Sequence, residues 1–590
     1  MPTSAKIGVG LAIFSAACFA VVRFKSPEES TDVRRQPSIP RFGFREVGEA
    51  WGLHFLHNPG HPTFFYPEIM GAGLAVADFD NDGRLDILLR GAIPGKGHPF
   101  AKIGPTSRLY LQRQARRFEN ASEKSGLDDD GYAMGVAVGD VNNDGNSDVY
   151  LCNFGKDKLY LGLGDGTFID ATKSSGIANA GFASSACFVD FDRDGLLDLY
   201  VANYVHYPKF DDCESLGRRD YCKPGTFQGL PHKLYRNVTP RNSKAPDVKF
   251  LDVSDASGVG KKPARGLGVI LCDPNEDGWP DLYLANDDEP NFLWVNQKNG
   301  KFLELAAAEG VAVNGAGQSQ GSMGLAEADV DGDGALDVLV TNFRAEYTTL
   351  YCRQAYGFQD RSGALGVGPL TRPFTGFGVT ALDVDGDGID EIIQANGRVT
   401  QLETEPAVRP PKDPNATVAI QAFWNAYSER SQLLFRTNDR FEDAKDDAGA
   451  FGRWVGIGRG LAVGDFDGNG WPDLAAIDFG NRAKLFLNES RRRGRLISIR
   501  AVNPSHGGRD ALGAVVTVVI GEKRMTKRIR SCGSYQSASE PKASFGLGDA
   551  NRIDRIEIKW PDGDLAPEVF DAPKLEGSLT IQRGQGTKKT

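Results

Sequence analysis

A short acidic loop that recurs seven times constrains the fold more than any other feature of the chain. The copies follow the pattern D-x-D-x-D-G-x-x-D, with Asn or Glu at a few acidic positions, and begin at Asp78, Asp140, Asp190, Asp273, Asp329, Asp383 and Asp465. Oxygen side chains at loop positions 1, 3, 5 and 9, with glycine at position 6, form a ligand pattern for one hard cation such as Ca²⁺. Apolar runs such as GLAVAD before the loop and LDILL after it predict that the loop joins two β-strands.

This spacing identifies four candidate calcium ligands in each loop. They are Asp78, Asp80, Asp82 and Asp86; Asp140, Asn142, Asp144 and Asp148; Asp190, Asp192, Asp194 and Asp198; Asp273, Asn275, Asp277 and Asp281; Asp329, Asp331, Asp333 and Asp337; Asp383, Asp385, Asp387 and Glu391; and Asp465, Asp467, Asn469 and Asp473. An Asn ligand removes one charge while keeping an oxygen, so we expect the second, fourth and seventh loops to bind calcium more weakly.

The sixth loop departs furthest from the pattern. It has Asp390 at position 8 and Glu391 at position 9, so its last ligand is either the longer Glu391 side chain or a displaced one. We therefore expect this loop to bind calcium more weakly than the first, third and fifth loops. The alternative for the whole set is that Asp, Asn and Gly form turns without a cation.

Each loop lies inside a larger repeat that predicts an all-β fold. An F-x-D-V-like strand, a loop ending in glycine, the two strands around the acidic loop and an L-Y-x-N-like strand recur in order. The copies begin near Phe44, Phe118, Phe168, Phe250, Phe302, Phe358 and Phe441. Four short strands cannot bury their faces alone, so seven such units predict a seven-bladed β-propeller over residues 44–490. An open solenoid of the same units is the alternative.

Two parts of the chain resemble known families. The acidic loops within these modules are similar to the FG-GAP/VCBS repeats of integrin α-subunits and many secreted bacterial proteins. The segments GRDALGAVVTVVIG from Gly508, SFGLGDA from Ser544 and RIDRIEIKWPDG from Arg552, with the turn GSYQS at 533–537, resemble the ASPIC/UnbV domain of the cartilage acidic protein family. The resemblance implies an integrin-α-like propeller followed by a small β-rich domain at 491–585, with ligand bound on the face away from the cation loops.

The charge of the chain is divided unevenly. The formal net charge is −10, but the last hundred residues contain 19 Lys and Arg against 11 Asp and Glu, a net +8, which leaves −18 for residues 1–490. Seven divalent ions would nearly offset that excess. The acidity therefore indicates a demand for cations, and we expect no nucleic-acid partner.

The N-terminus contains a targeting segment. Sixteen uncharged residues, IGVGLAIFSAACFAVV, lie between Lys6 and Arg23, which is the length of a signal h-region or a minimal membrane span. A cleaved signal peptide and an uncleaved anchor within residues 1–25 both remain open, and a lipidated Cys18 is a third option. In each case the propeller lies outside the cytoplasm, and residues 26–43 are expected to form a disordered linker.

Three insertions interrupt the repeats at the same place. They lie near 91–106, 203–232 and 397–430, always between the strand leaving the acidic loop and the L-Y-x-N strand. If successive strands alternate in direction, the insertions gather on the face away from calcium, where a partner would bind. Cys213 and Cys222 within one insertion predict a disulfide in an exported chain, whereas Cys152, Cys187, Cys272 and Cys352 are expected to be core residues.

The sequence favours a non-enzymatic interaction or adhesion protein that binds an extracellular protein or an anionic polysaccharide. Its carboxylates are used by the cation loops, so no catalytic residue and no cofactor besides Ca²⁺ is predicted. The positive charge for an anionic partner would come from Arg218, Arg219, Lys261, Lys262 and Arg265. One alternative is a calcium-dependent polysaccharide lyase or hydrolase with catalytic groups such as Arg218, Arg219, Tyr221 and His232. Another is a lectin, although Trp51, Trp294 and Trp424 are scattered.

Overall fold

The computed structural model describes most of the chain beyond its N-terminal segment. The described residues are 41–91, 107–114, 116–207, 213–215, 218–240, 247–402, 417–562, 566–571, 575 and 577–588. The predicted signal or anchor and nearly all of the predicted linker lie outside them, as do most of the first insertion and 403–416 of the third. Among the described residues, no helix is both long and apolar enough to span a membrane.

Seven antiparallel four-stranded sheets form the propeller within the described residues, which confirms the predicted fold class. We number these blades in chain order and give their strands from the innermost outward. Blade 1 contains Leu74–Ala77, Asp86–Leu89, Arg108–Gln114 and Arg117–Asn120; blade 2, Tyr132–Gly139, Asp148–Phe154, Lys158–Gly162 and Phe168–Asp170; blade 3, Ala183–Val189, Asp198–Asn203, Lys233–Asn237 and Phe250–Asp252; blade 4, Gly266–Cys272, Asp281–Glu289, Phe292–Asn296 and Phe302–Glu304; blade 5, Leu325–Ala328, Asp337–Val340, Thr349–Arg353 and Phe358–Asp360; blade 6, Gly376–Leu382, Glu391–Asn396, Gln432–Thr437 and Arg440–Asp443; blade 7, Gly458–Gly464, Asp473–Asp478, Lys484–Asn488 and Phe44–Glu46.

The N-terminal strand closes the ring. Phe44–Glu46 pairs antiparallel with Lys484–Asn488, so the first F-x-D-V-like segment of the sequence completes the last blade. Each later F-x-D-V-like strand is likewise the outer strand of the preceding blade. The sequence repeat and the blade are therefore offset by one strand, and this offset joins the two ends of the propeller without leaving an unpaired edge.

Glycines let the inner strands approach one another closely around the axis. A Cβ atom added to Gly135 in blade 2 would lie 2.4 Å from the carbonyl oxygen of Ser184 in blade 3, and one added to Gly324 would lie 2.0 Å from that of Phe377 in blade 6. Apolar residues that alternate along the strands fill the space between neighbouring blades. Because no side chain fits at these glycines, the first strand of one blade can pack against the first strand of the next.

Short helices follow the outer strands, lie in the insertions or, in the case of Pro504–His506, belong to the C-terminal domain. The α-helices are Tyr66–Met70, Thr172–Ser175, Ser254–Ser257, Ala306–Glu309, Val367–Thr371, Thr417–Asn425 and Gly449–Gly452, and the 3₁₀ helices are Pro224–Thr226, Val259–Lys261, Lys445–Ala448 and Pro504–His506. Small two-residue pairings join Glu214–Ser215 to Arg218–Arg219 and Glu429–Arg430 to Val455–Gly456, and Gln320–Gly321 adds to the second strand of blade 4.

Two further sheets build the C-terminal domain. In the first, Arg495–Asn503 pairs with Arg509–Asp510, Ala543–Gly548 and, in parallel, Gly577–Gln582. The second has the order Lys523–Arg528, Val515–Ile520, Arg555–Lys559, Glu568–Phe570 and Thr587–Lys588. Apolar residues such as Ile497, Val516 and Ile556 are fully buried between the sheets.

A hairpin of the C-terminal domain enters the centre of the propeller. It consists of Cys532–Gly533 and Ser537–Ala538, and we call residues 531–539 the axial hairpin. It contacts the inner strands of several blades: Ala538 pairs with Ala75, Gln536 accepts from the backbone N–H of Val136, and Ser534 exchanges two backbone hydrogen bonds with Leu325. Contacts with blades on all sides of the ring place the axial hairpin on the propeller axis.

Candidate metal centres

The acidic loops have the local geometry that their spacing predicts. Each joins the first two strands of a blade, and the position-9 residue is the first residue of the second strand. In the first loop, the Asp78 carboxylate accepts the backbone N–H groups of Asp82 at 3.1 Å and Gly83 at 2.9 Å. Gly83 has φ +83°, and the position-6 glycines of the other six loops have φ between +76° and +90°. A left-handed residue is needed there because the chain must turn back toward the position-1 carboxylate.

The position-9 carboxylate fastens the loop to the blade. In the first loop, Asp86 is fully buried, and its two oxygens accept the N–H groups of Phe79 and of Gln112 in the third strand, both at 2.8 Å. Burial raises the pKa of Asp86 to about 7. The same carboxylate therefore holds the loop hairpin in place and lies, with Asp78 and Asp80, in a group whose ligand atoms are all within 4.8 Å of one another.

The third, fifth and sixth loops repeat this convergence of acidic groups. Within the described residues, comparable groups are formed by Asp190, Asp192 and Asp194; by Asp329, Asp331 and Asp333; and by Asp383, Asp385 and Glu391. Burial also raises the pKa of Asp329 and Asp465 to about 6 and of Asp190 to about 7. Buried carboxylates held this close repel one another when ionised, and a bound cation removes that repulsion.

Unpartnered buried oxygens test whether the residues fit a cation. Within the described residues, Oδ1 of Asp80, Oδ1 of Asp190 and Oδ1 of Asp385 are buried without a hydrogen-bond partner. Such oxygens are costly to bury unless something binds them. Their positions at loop residues 1 and 3 are those at which Ca²⁺ ligands are expected, so the donor set fits a hard divalent cation.

The fourth loop shows why one oxygen lacks a partner. Position 2 of this loop is Pro274, which has no backbone N–H to donate to the position-9 carboxylate. Asp281 accepts from the N–H of Asn296 at 2.7 Å through one oxygen, whereas its buried Oδ2 accepts from no described group. Burial raises the pKa of Asp281 to about 8. The loss of one backbone donor thus makes this carboxylate depend more on a proton or a cation.

Basic side chains lie over several of the position-3 and position-5 carboxylates. Arg236 contacts Asp192 at 2.5 Å, and Lys298 contacts Asp277 at 3.2 Å. Arg113 forms an ion pair with Asp80. These residues come from the end of the third strand or the turn after it, and their charges partly offset those of the loops.

The sixth loop is the one most fully neutralised by the protein itself. Glu391 accepts the N–H of Val384 at 3.0 Å, which is the bond that Asp makes from position 9 in most of the other loops, so the longer side chain takes that place. Arg493 contacts Asp387 at 2.6 Å, and Lys527 contacts Asp390 at 2.6 Å. Arg41 adds ion pairs to Asp385 and Asp387 at 3.0 and 3.2 Å.

The C-terminal domain covers the face that carries the acidic loops. His506 lies against Gly195 of the third loop, and Ser498 donates to the carbonyl oxygen of Gly470 in the seventh loop at 3.2 Å. Arg528 and Arg530 pair with the buried Glu327, next to the fifth loop, at 3.3 and 2.7 Å. The basic domain and the acidic loops thus meet directly, a contact that the uneven charge of the sequence could have suggested.

The described parts of the second and third insertions meet on the opposite face, around a cluster of aromatic side chains. Tyr221 of the second insertion lies 5.4 Å from Phe64 and 6.5 Å from Trp424 of the third insertion, measured between ring centroids. Tyr66 stacks on Tyr204, with their hydroxyl oxygens 2.7 Å apart. In the second insertion, the sulfur atoms of Cys213 and Cys222 are joined in a disulfide.

Several candidate functional side chains are placed differently from the expectation. Arg265, expected to offer positive charge to a partner, is buried and pairs with Glu289 at 3.1 Å because it folds back over the end of blade 4. Lys262 pairs with Glu304 at 3.0 Å. Arg219 and Lys261 are exposed, and the side chain of Arg218 lies outside the described residues.

Five of the residues suggested for an enzyme or a lectin are buried. His232 is fully buried, and burial lowers its pKa to about 3. Tyr221 is also buried and donates to Glu68 at 3.0 Å. Of the three tryptophans considered for a lectin, Trp294 and Trp424 are fully enclosed and Trp51 is buried. These side chains therefore belong to the packed interior.

Comparisons with known proteins agree with this architecture. Residues 504–588 match the family described as ASPIC and UnbV, and residues 140–201 and 273–340 match the FG-GAP-like repeat. The chain is similar to cartilage acidic protein 1 from Mus musculus, with 25% identity over 551 residues that cover 89% of this chain and 75% of that protein. It is also 25% identical to cartilage acidic protein 1 from Homo sapiens over 540 residues, covering 87% and 72% of the two chains.

The solved structures are more distant. A lectin from Agrocybe aegerita that recognises non-reducing terminal N-acetylglucosamine aligns with a TM-score of 0.33 and 13% identity, covering 71% of this chain and 94% of that chain. At that score the likeness carries no argument about this chain.

Proposed function

We propose that this chain, which carries FG-GAP-like repeats and a C-terminal ASPIC and UnbV domain, is an extracellular interaction or adhesion protein. In this proposal, up to seven Ca²⁺ ions stabilise the propeller, and a partner binds the face opposite the calcium loops. The similarity to cartilage acidic protein 1 over most of the chain supports an extracellular, non-enzymatic role.

The calcium part of the proposal rests on the side chains of the loops. Oxygens at positions 1, 3, 5 and 9 of each loop would hold the ion, with Glu391 at position 9 of the sixth loop. Bound calcium would supply the positive charge that lets several buried carboxylates ionise together. The unpartnered oxygens of Asp80, Asp281 and Asp385 support this role.

Matched variants in the fifth and sixth loops test the calcium part. Asp331 and Asp385 occupy position 3 in these loops, but Asp385 contacts Arg41 at 3.0 Å, whereas Asp331 lies 3.7 Å from Arg361. We expect Asp331→Ala to remove one bound calcium per chain and to reduce the rise in Tm that calcium causes. Asp385→Ala should reduce that rise less, and should also lower Tm in chelator, because this carboxylate also forms an ion pair with Arg41. An equal or larger loss of calcium response in Asp385→Ala would contradict the assignment.

The choice of binding face rests on one observation above all: the C-terminal domain occupies the face of the acidic loops, and the axial hairpin fills the centre. A partner would therefore reach the propeller most easily on the opposite face, where the second and third insertions meet. Arg219 and Lys261 are exposed on that side and give positive charge to a propeller that is otherwise acidic. This contrast supports an anionic polysaccharide, or an acidic patch of an extracellular protein, as the partner.

Charge reversal on the two faces tests the binding surface. The double variant Arg219→Glu/Lys261→Glu should lose retention on uronic-acid or sulfated polysaccharides and keep its calcium-dependent Tm. The double variant Lys301→Glu/Lys559→Glu changes the same charge at exposed positions elsewhere and should retain binding. If the native protein is not retained by any anionic polymer, the polysaccharide is excluded. If only the second variant loses binding, the assignment of the face is wrong.

A further inference from the structure

Two cysteines from distant parts of the chain meet where the axial hairpin enters the propeller. Cys187 lies on the inner strand of blade 3, and Cys532 begins the first strand of the axial hairpin. Their Sγ atoms are 2.6 Å apart, although 345 residues separate them in the chain. Both side chains are buried.

This distance is too short for two separate thiols or for two ligands of one metal ion. Non-bonded sulfur atoms repel strongly at such a separation, and two thiolates bound tetrahedrally to zinc, with Zn–S of about 2.3 Å, would lie about 3.8 Å apart. A disulfide has an S–S length of about 2.0 Å, which a small movement of either side chain would reach. The covalent pair is the arrangement that best fits sulfur atoms held this close.

The surroundings favour the same conclusion. Cys187 and Cys532 belong to an apolar cluster with Val189, Val269 and Leu271. Besides this contact, the Sγ of Cys187 lies 3.5 Å from the carbonyl oxygen of Phe188. A disulfide removes both S–H donors from this apolar environment. Neither sulfur has the solvent access that a redox-catalytic thiol requires.

We propose that Cys187 and Cys532 form a second disulfide, which locks the axial hairpin and hence the C-terminal domain into the propeller. Each thiol loses a proton and the pair loses two electrons as the S–S bond forms. The electrons pass to the disulfide of an extracytoplasmic thiol–disulfide oxidoreductase, which is reduced to a dithiol. Because the pair is buried in the folded protein, this exchange would precede or accompany entry of the hairpin.

The chain contains its own controls for a test by peptide mapping. The protein would be produced in an oxidising compartment, denatured with an alkylating agent present, and digested without reduction. We expect a linked pair of peptides that contain Cys187 and Cys532, as well as the linked pair of Cys213 and Cys222. All five remaining described cysteines are buried free thiols in the structure, but the only described contact between two of their sulfur atoms is that of Cys187 with Cys532, so Cys152, Cys272 and Cys352 should be alkylated. Alkylation of Cys187 and Cys532 to the same extent as Cys152, with Cys213 and Cys222 still linked, would overturn the proposal.

A second measurement tests whether the proposed disulfide stabilises the docked hairpin or forms without affecting stability. Reductant should lower the Tm of a Cys213→Ser/Cys222→Ser variant, in which only the proposed disulfide remains. Adding Cys532→Ala to that variant should abolish the effect of reductant. If the Cys532→Ala variant does not fold, the peptide map of the native chain still decides the question. An unchanged Tm on reduction of the Cys213→Ser/Cys222→Ser variant would show that the link does not hold the hairpin.

Discussion

Gly73 provides the sharpest test of the position of the axial hairpin. A Cβ atom at this residue would lie 1.7 Å from the carbonyl oxygen of Gln536 and 2.6 Å from its carbonyl carbon. Both are backbone atoms, so Gly73→Ala forces the hairpin to move. Gly363→Ala is the matched control, because a Cβ atom there meets nothing within 4 Å and the residue is exposed.

The structure allows an estimate of the stability at stake. Ser534 exchanges backbone hydrogen bonds with Leu325 at 2.9 and 2.6 Å, and the hydroxyl of the buried Tyr535 donates to the carbonyl oxygen of Met70 at 2.8 Å. At about 0.5–1.5 kcal/mol for each of these three hydrogen bonds and about 1.5–3 kcal/mol for burying one aromatic ring, expulsion of the hairpin would cost roughly 3–7.5 kcal/mol. A small shift of Gln536 without expulsion would cost less, about 1–3 kcal/mol.

Hydrogen exchange and thermal unfolding would measure the effect. In Gly73→Ala, amides of residues 531–539 should exchange much faster than in the native protein, and Tm should fall, whereas Gly363→Ala should match the native protein in both. Hydrogen exchange in strands far from the axis, such as the outer strand Phe302–Glu304 of blade 4, should change little. If Gly73→Ala keeps native Tm and native protection of residues 531–539, the hairpin does not occupy the propeller axis in solution.

Three further predictions concern the face opposite the acidic loops. Burial raises the pKa of Glu68 to about 7, so the folded protein binds more protons than the unfolded chain, and the contribution of Glu68 to stability falls as pH rises from about 4.5 to 7. The unfolding free energy of Glu68→Gln should therefore rise by about 2–3 kcal/mol relative to that of the native protein between pH 5 and 8. A difference in unfolding free energy that does not change with pH would refute this. Cys213→Ser/Cys222→Ser should lower the local opening free energy of residues 213–222, measured by hydrogen exchange, by about 2–3 kcal/mol. Unchanged protection would show that the disulfide does not stabilise this insertion. The buried Arg459 donates hydrogen bonds to the carbonyl oxygens of Ile69 and Gly397. Arg459→Met should therefore lower the unfolding free energy measured by denaturant titration by about 3 kcal/mol or more, and a loss below about 1 kcal/mol would contradict this.

The sequence predicts the local geometry well because that geometry depends on neighbouring residues. The position-6 glycines adopt positive φ, the position-9 residues begin the second strands, and the seven repeats form seven blades, as their spacing indicates. These features follow from turn chemistry and from the alternation of apolar residues, both of which extend over fewer than about 12 residues.

The contacts between distant segments were not predictable in this way. Local sequence patterns do not predict that Phe44–Glu46 completes blade 7, that Cys532 contacts Cys187, or that Arg265 pairs with Glu289. Two features of the sequence are consistent with the docking of the C-terminal domain: the basic charge of that domain against an acidic propeller, and glycines next to the inner strands, such as Gly73. Charge and glycine positions indicate that something packs closely, but they do not identify the partner segment.

The most direct test of the central claim is to count bound calcium and measure Tm on the same protein. With dissociation constants of about 0.1–1 mM, each site contributes about 0.4–1.4 kcal/mol at 1 mM calcium and about 1.4–2.7 kcal/mol at 10 mM. Equilibrium dialysis at 10 mM calcium should find more than one ion per chain and at most seven, and Tm should rise steadily from chelator through 1 mM to 10 mM calcium, with magnesium having a much smaller effect. Fewer than one ion bound per chain, together with the same Tm in chelator and in 10 mM calcium, would contradict a calcium-stabilised propeller.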